Sequence, residues 1–145
     1  MAYNKVPQMW ACLDGQRGQG LTPEERVDLI QQMIETAELF CKTEDIPMVN
    51  LSFEKLDFTT NGEYNHKLLL IRLDLDKNND HVRTLFHELF HHWQWCKIPK
   101  WYERAYGFWT RHVFHVTTIE KYFNSRLEVE ARSFARSTIE ELDAM

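Results

Sequence analysis

The chain has 145 residues, 43% of them apolar, which suits one domain around one buried core. Its net charge of −5 gives no general attraction for phosphate backbones or anionic lipid, so nucleic acid is not an expected partner. Cys12, Cys41 and Cys96 lack the paired spacing of a disulfide framework, and no stretch is apolar enough to cross a membrane.

Residues 1–20 hold Pro7, Gly15, Gly18 and Gly20 without a sustained period, which reads as an irregular arm pinned by Trp10. The stretch from Met1 to Gly20 lacks a charged segment followed by an apolar run, so a cytoplasmic setting is expected. Cys12 in this arm is a candidate to cap a metal and hold an enzyme latent, since a thiolate is a good zinc ligand.

Thr22-Pro23-Glu24-Glu25 supplies an N-cap, a first-turn proline and the glutamate of a capping box. Val27, Ile30, Ile34, Ala37 and Cys41 continue an apolar stripe, so a first helix is expected to about Lys42. After Pro47, the run Met48, Val49, Leu51, Phe53 and Leu56 predicts an imperfectly alternating strand, and Asn61-Gly62 signals a turn. His66 to Leu75 is strand-like, with Leu69, Ile71, Leu73 and Leu75 on one face and Leu68, Leu70, Arg72 and Asp74 on the other, and predicts a second strand hairpinned to the first.

Asn79 or Asp80 can cap the next helix, which Pro99 should end at about Lys97 or Ile98. Within it Val82, Phe86, Leu89 and Trp93 follow the spacing of a core-facing stripe, and His87-Glu88-x-x-His91 occupies a different face. Residues four apart on a helix lie about 40° apart around its axis, so His87 and His91 can offer two imidazoles to one metal ion. Glu88 then stands close enough to act on water at the metal without being a ligand. His92 is expected to be exposed.

Trp101 to His115 is dense in aromatic residues and reads as a helical or turn-rich wall of the core. A last helix should start near Thr117 or Thr118 and run to about Leu142. Catalytic zinc takes three protein ligands, so a third is needed. Projected at about 100° per residue, Glu128 falls between Ala135 and Ile139 inside the apolar arc of the last helix and faces its neighbour. Ala131 and Ala135 would let the two helices approach closely, and Glu130 lies nearer the edge of the arc as the second choice.

His87-Glu88-x-x-His91 followed by Glu128-x-Glu130-Ala131-x-x-Phe134-Ala135 resembles the zincin metallopeptidases of the gluzincin type. The second block is similar to the corresponding segment of the HtpX and CAAX-prenyl proteases and their small soluble relatives, and to that of the ImmA/IrrE-like peptidases. The resemblance covers roughly residues 66–136 and implies that Glu128 is the third zinc ligand. Two departures stand out: there are no transmembrane helices, and Arg132 replaces the aspartate of the membrane families. His-Glu-Leu-Phe-His-His-Trp-Gln also resembles SprT-like domains, in which His112 or His115 would take the place of Glu128 and the substrate would be linked to DNA.

The expectation is therefore an α+β, zincin-like domain over residues 1–145, with a small sheet before the histidine helix and the last helix packed behind it. The resemblance implies a zinc-dependent endopeptidase acting on peptide or protein, with Zn2+ on His87, His91 and Glu128 and with Glu88 as base for the attacking water. Tyr102, Tyr106, His112, His115 and Tyr122 are open candidates for an oxyanion donor. In zincins the strand before the metal helix is a substrate edge, which points to an extended peptide antiparallel along part of 66–75. The competing reading is a non-catalytic module in which zinc or packing closes the site and the surface binds a partner.

Overall fold

A computed structural model describes residues 21–77, 80–104 and 118–144 of the chain, with side chains in the last stretch from Arg126 onward. The architecture is α+β, a three-stranded sheet with long helices, and no helix among the described residues is long and apolar enough to cross a membrane. The expected metal helix, its cap and the last helix are all present.

Helix α1, Pro23–Glu44, opens on Thr22, whose side chain accepts from the Glu25 amide at 3.2 Å while the Glu25 carboxylate accepts from the Thr22 amide at 3.1 Å. It outruns the expected end because Asp45 adopts a left-handed conformation, φ 53°, and its amide closes on the Cys41 and Lys42 carbonyls. Its buried row is Leu29, Met33 and Ala37 with Phe40 and Cys41, whereas Val27 is 65% exposed. This helix carries more apolar residues than one face holds, and the expected stripe began one row to the side.

The strands are β1, Asn50–Phe53, β2, Gly62–Asn65, and β3, Leu70–Leu73, in the spatial order β1-β3-β2. This corrects the expected hairpin in two respects. β1 pairs parallel to β3, Leu51 opposite Ile71, and the hairpin partner of β3 is β2, Tyr64 opposite Ile71. The expected strand 66–75 is cut at its start because residues 66–69 form the hairpin loop. Asn65 Oδ1 accepts from the Lys67 and Leu68 amides at 3.0 and 3.2 Å, and Leu69 takes a positive φ of 48° to re-enter the sheet. The alternation expected of β3 is present: Ile71 and Leu73 face the core, while Arg72 on the other face pairs with Glu63 across the strands at 2.8 Å.

Both edges of β3 are thus occupied by the protein's own strands, which overturns the expectation that a substrate lies along 66–75. The sheet edge beside the helices is β2.

Helix α2, His81–Lys97, is capped by Asp80, whose side chain accepts from the Arg83 amide at 3.1 Å. Pro99 lies in the first turn of a further helical segment, 99–104, so it both ends α2 and starts the next turn. Helix α3, Thr118–Asp143, packs chiefly on α2. Ala131 and Ala135 are fully buried, as close helix contact requires. Phe134 stacks on Phe90 with centroids 4.9 Å apart and meets Phe86 and Phe40 edge-on, tying α3 to both other helices.

Candidate metal centre

His87 and His91 lie one turn apart on α2, with ring centroids 4.9 Å apart and planes at 75°. Glu128 of α3 comes between them: its Oε2 is 3.0 Å from His87 Nε2 and its Oε1 is 3.0 Å from His91 Nε2. One ligand atom from each residue lies within 4.8 Å of the others, so the cluster could hold a metal ion. Bonds of 2.0–2.1 Å in a tetrahedral shell set donor atoms ~3.3 Å apart, close to the spacing found here.

His87, His91 and Glu128 surround a gap in which a metal ion could sit. Gln94 Nε2 donates to the Leu127 carbonyl at 3.3 Å, so Gln94 Oε1 must accept, and it lies 2.8 Å from His91 Nδ1. With Nδ1 donating to Gln94 Oε1, a neutral His91 turns the lone pair of Nε2 toward the Glu128 carboxylate, whereas a protonated ring donates from both nitrogens. Two acceptors 3.0 Å apart repel unless a proton or a metal ion stands between them. The donor set of two imidazoles and one carboxylate fits zinc and leaves a fourth position for water or substrate.

The electrostatics favour positive charge between the rings and the carboxylate. Burial opposes ionisation of Glu128, but hydrogen bonds from His87 and His91 hold its carboxyl well below the usual range. Burial also pulls His91 down, and Glu128 and Glu88 outweigh it and push its pKa up. Glu88 is buried beside the pair, and burial pushes its carboxyl up against the pull of His91 and His87.

These residues open on a cleft of about 740 Å³ that reaches from β2 across the metal cluster to α3. His87, His91, Glu88 and Glu128 line it together with Glu63, Tyr64 and Tyr102. Gly62 lets β2 and α2 come together here, because a Cβ at that position would lie 2.7 Å from Thr84 Cγ2 and 3.2 Å from the Arg72 carbonyl.

Of the remaining candidates, Glu130 is turned away and pairs with Arg126 at 3.2 Å. Tyr102 is buried on the cleft wall, edge-on to Tyr64 and His66. Cys12, Tyr106, His112 and His115, with the side chain of Tyr122, lie outside the described residues. His92, expected to be exposed, is fully buried. Its Nε2 donates to the Pro47 carbonyl at 2.7 Å, so its Nδ1 accepts the Tyr64 hydroxyl at 2.8 Å. Burial holds His92 below its usual pKa and raises the Tyr64 hydroxyl well above its own. This neutral pair ties β2 to α2 behind the metal cluster.

Sequence reasoning missed Gln94, although it stands three residues past His91 on the same helix. A polar side chain at that offset was the available signal. Compared with known proteins, the chain matches no family model, no curated protein and no solved structure.

Proposed function

We propose that this protein is a zincin-like, zinc-dependent peptidase whose metal is held by His87, His91 and Glu128. The observation that carries the reading is the cluster of His87, His91 and Glu128, which could hold a metal ion and opens to a cleft that Glu88 also lines. A small sheet followed by the histidine helix and a ligand-bearing last helix supports the same family resemblance.

Zinc, when bound, supplies Lewis acidity that polarises the scissile carbonyl and brings the pKa of water toward ~7. Glu88 takes the proton of the attacking water and later delivers it to the leaving amine. Gln94 fixes the His91 ring with Nε2 toward the metal, and Tyr102 is the oxyanion candidate placed on the cleft wall. The outer edge of β2, residues 62–64, which no described strand pairs with, offers main-chain hydrogen bonds to an extended peptide, taking the role first expected of β3.

A non-catalytic zinc module is the second reading, and it would close the metal with a fourth protein ligand. Among the described residues the cluster has three members and faces a cleft, which favours the catalytic reading. The experiment is Glu88→Gln, which should retain about one zinc per chain and lose peptide hydrolysis. Loss of zinc in that variant, as expected for His87→Ala, would show Glu88 to be a ligand, and full activity would end the peptidase reading.

A further inference from the structure

We infer that Arg83, Arg132 and Arg136 form a subsite beside the metal cluster that takes a carboxylate of the peptide substrate, an inference that rests on the peptidase reading above. Arg83 lies one turn before His87 on α2, and Arg132 lies one turn after Glu128 on α3. The two helices run antiparallel, Gln94 meeting Leu127 at one end, so both arginines fall at the same end of the cluster, with Arg136 a turn further on.

They share a cavity of about 390 Å³ that also touches His87 and Ser133, and among the described residues no aspartate or glutamate lines it. Arg83, His87 and Arg132 line the main cleft as well, so the two spaces meet at the cluster.

The charges are unusual for this chain. Acidic residues outnumber basic ones, 22 to 17, and Arg26, Arg72 and Arg126 each have a carboxylate partner, Asp76, Glu63 and Glu130. Among the described residues, none of Arg83, Arg132 and Arg136 has one. Three cations gathered in a cavity repel one another, and a bound anion turns that repulsion into charge-assisted, bidentate hydrogen bonds. Nucleic acid fits less well, because it needs a longer basic strip and meets the overall negative charge at a distance.

One helical turn is about 5.4 Å, and an extended peptide advances about 3.3 Å per residue. The recognised carboxylate therefore belongs within about two residues of the scissile bond, as a side chain or as the chain terminus.

The test uses the zinc-loaded Glu88→Gln protein and fluorescent peptides in which one glutamate replaces glutamine at each position around a fixed core, each with a free or an amidated C-terminus. Anisotropy should show about tenfold or tighter binding for glutamate at one position, or for the free terminus, and the pattern names the source. Arg83→Gln and Arg132→Gln should each bring that preference toward unity with zinc content unchanged, and Arg132→Glu should turn it toward lysine. Equal binding of all acidic and neutral peptides would overturn the subsite, as would tighter binding of a single-stranded oligonucleotide through the same arginines. Acid-selective binding without cleavage by the unsubstituted protein would instead overturn the peptidase reading and leave the subsite standing. Cleavage without any acidic preference would do the reverse.

Discussion

His91 Nδ1 lies 2.8 Å from Gln94 Oε1, and that contact decides which ring nitrogen faces the metal cluster. The Leu127 carbonyl accepts from Gln94 Nε2 at 3.3 Å, so a backbone atom of α3 turns Gln94 Oε1 toward a histidine on α2. The helix that carries Glu128 thereby also helps to hold the His91 ring that faces Glu128.

Replacing Gln94 with leucine should remove this control while nearly preserving volume. Zinc affinity is expected to fall 10–100-fold, the range found when partners of metal-ligating histidines are lost. A competition titration with a chelator measures it, and unchanged affinity would mean that Nδ1 needs no partner. The thermal midpoint should also drop, because the Leu127 carbonyl loses its donor.

Gly62→Ala should weaken the fold and the cleft together. The added methyl would sit 2.7 Å from Thr84 Cγ2 on a helix whose β-branched side chain has little freedom to move aside. Overpacking of this kind costs about 1–3 kcal/mol, and chemical denaturation should show a loss of that size. Stability equal to that of the unsubstituted chain would mean that β2 and α2 can separate at little cost.

The faces that bring His87, His91 and Glu128 together were legible in the sequence because helical periodicity is local. His87, Glu88 and His91 follow from spacing on one helix, and Glu128 from its place among Ala131, Ala135 and Ile139 on another. The sheet was less legible. Parallel pairing of β1 with β3 depends on contacts far apart in sequence, and the alternation of His66 to Leu75 says nothing about Leu69 turning the chain at positive φ. The burial of His92 was hidden for a related reason: its partners, Pro47 and Tyr64, lie 45 and 28 residues away.

Asp74 gives a pH prediction away from the metal cluster. It is buried, accepts from the Leu56 and Asp76 amides at 2.9 and 3.0 Å, and meets Lys77 Nζ at 3.2 Å. Lys77 Nζ in turn donates to the carbonyls of Leu56, Asp57 and Thr60, which fixes the segment leading to β2 and the cleft. The Leu56 amide, with Asp76 and Lys77, holds the Asp74 carboxyl below its usual range against the effect of burial. A depressed carboxyl adds stability that is fully present above its unfolded pKa of ~4 and fades as pH falls through the lower folded value. Asp74→Asn should therefore lower the midpoint of unfolding at pH 7 and lose much of the difference from the parent as pH approaches 2. A gap that persists unchanged at acid pH would show that charge on Asp74 is not what holds the loop.

Whether His87, His91 and Glu128 hold zinc is read from its coordination in the purified, zinc-loaded protein by X-ray absorption at the zinc edge. The expected result is one zinc per chain bound by two imidazole nitrogens and one carboxylate oxygen, with a light, exchangeable fourth donor, and loss of this site in Glu128→Ala but not in Glu130→Ala. A fourth protein ligand such as a thiolate, a third imidazole in place of the carboxylate, or no stoichiometric zinc at all would contradict it.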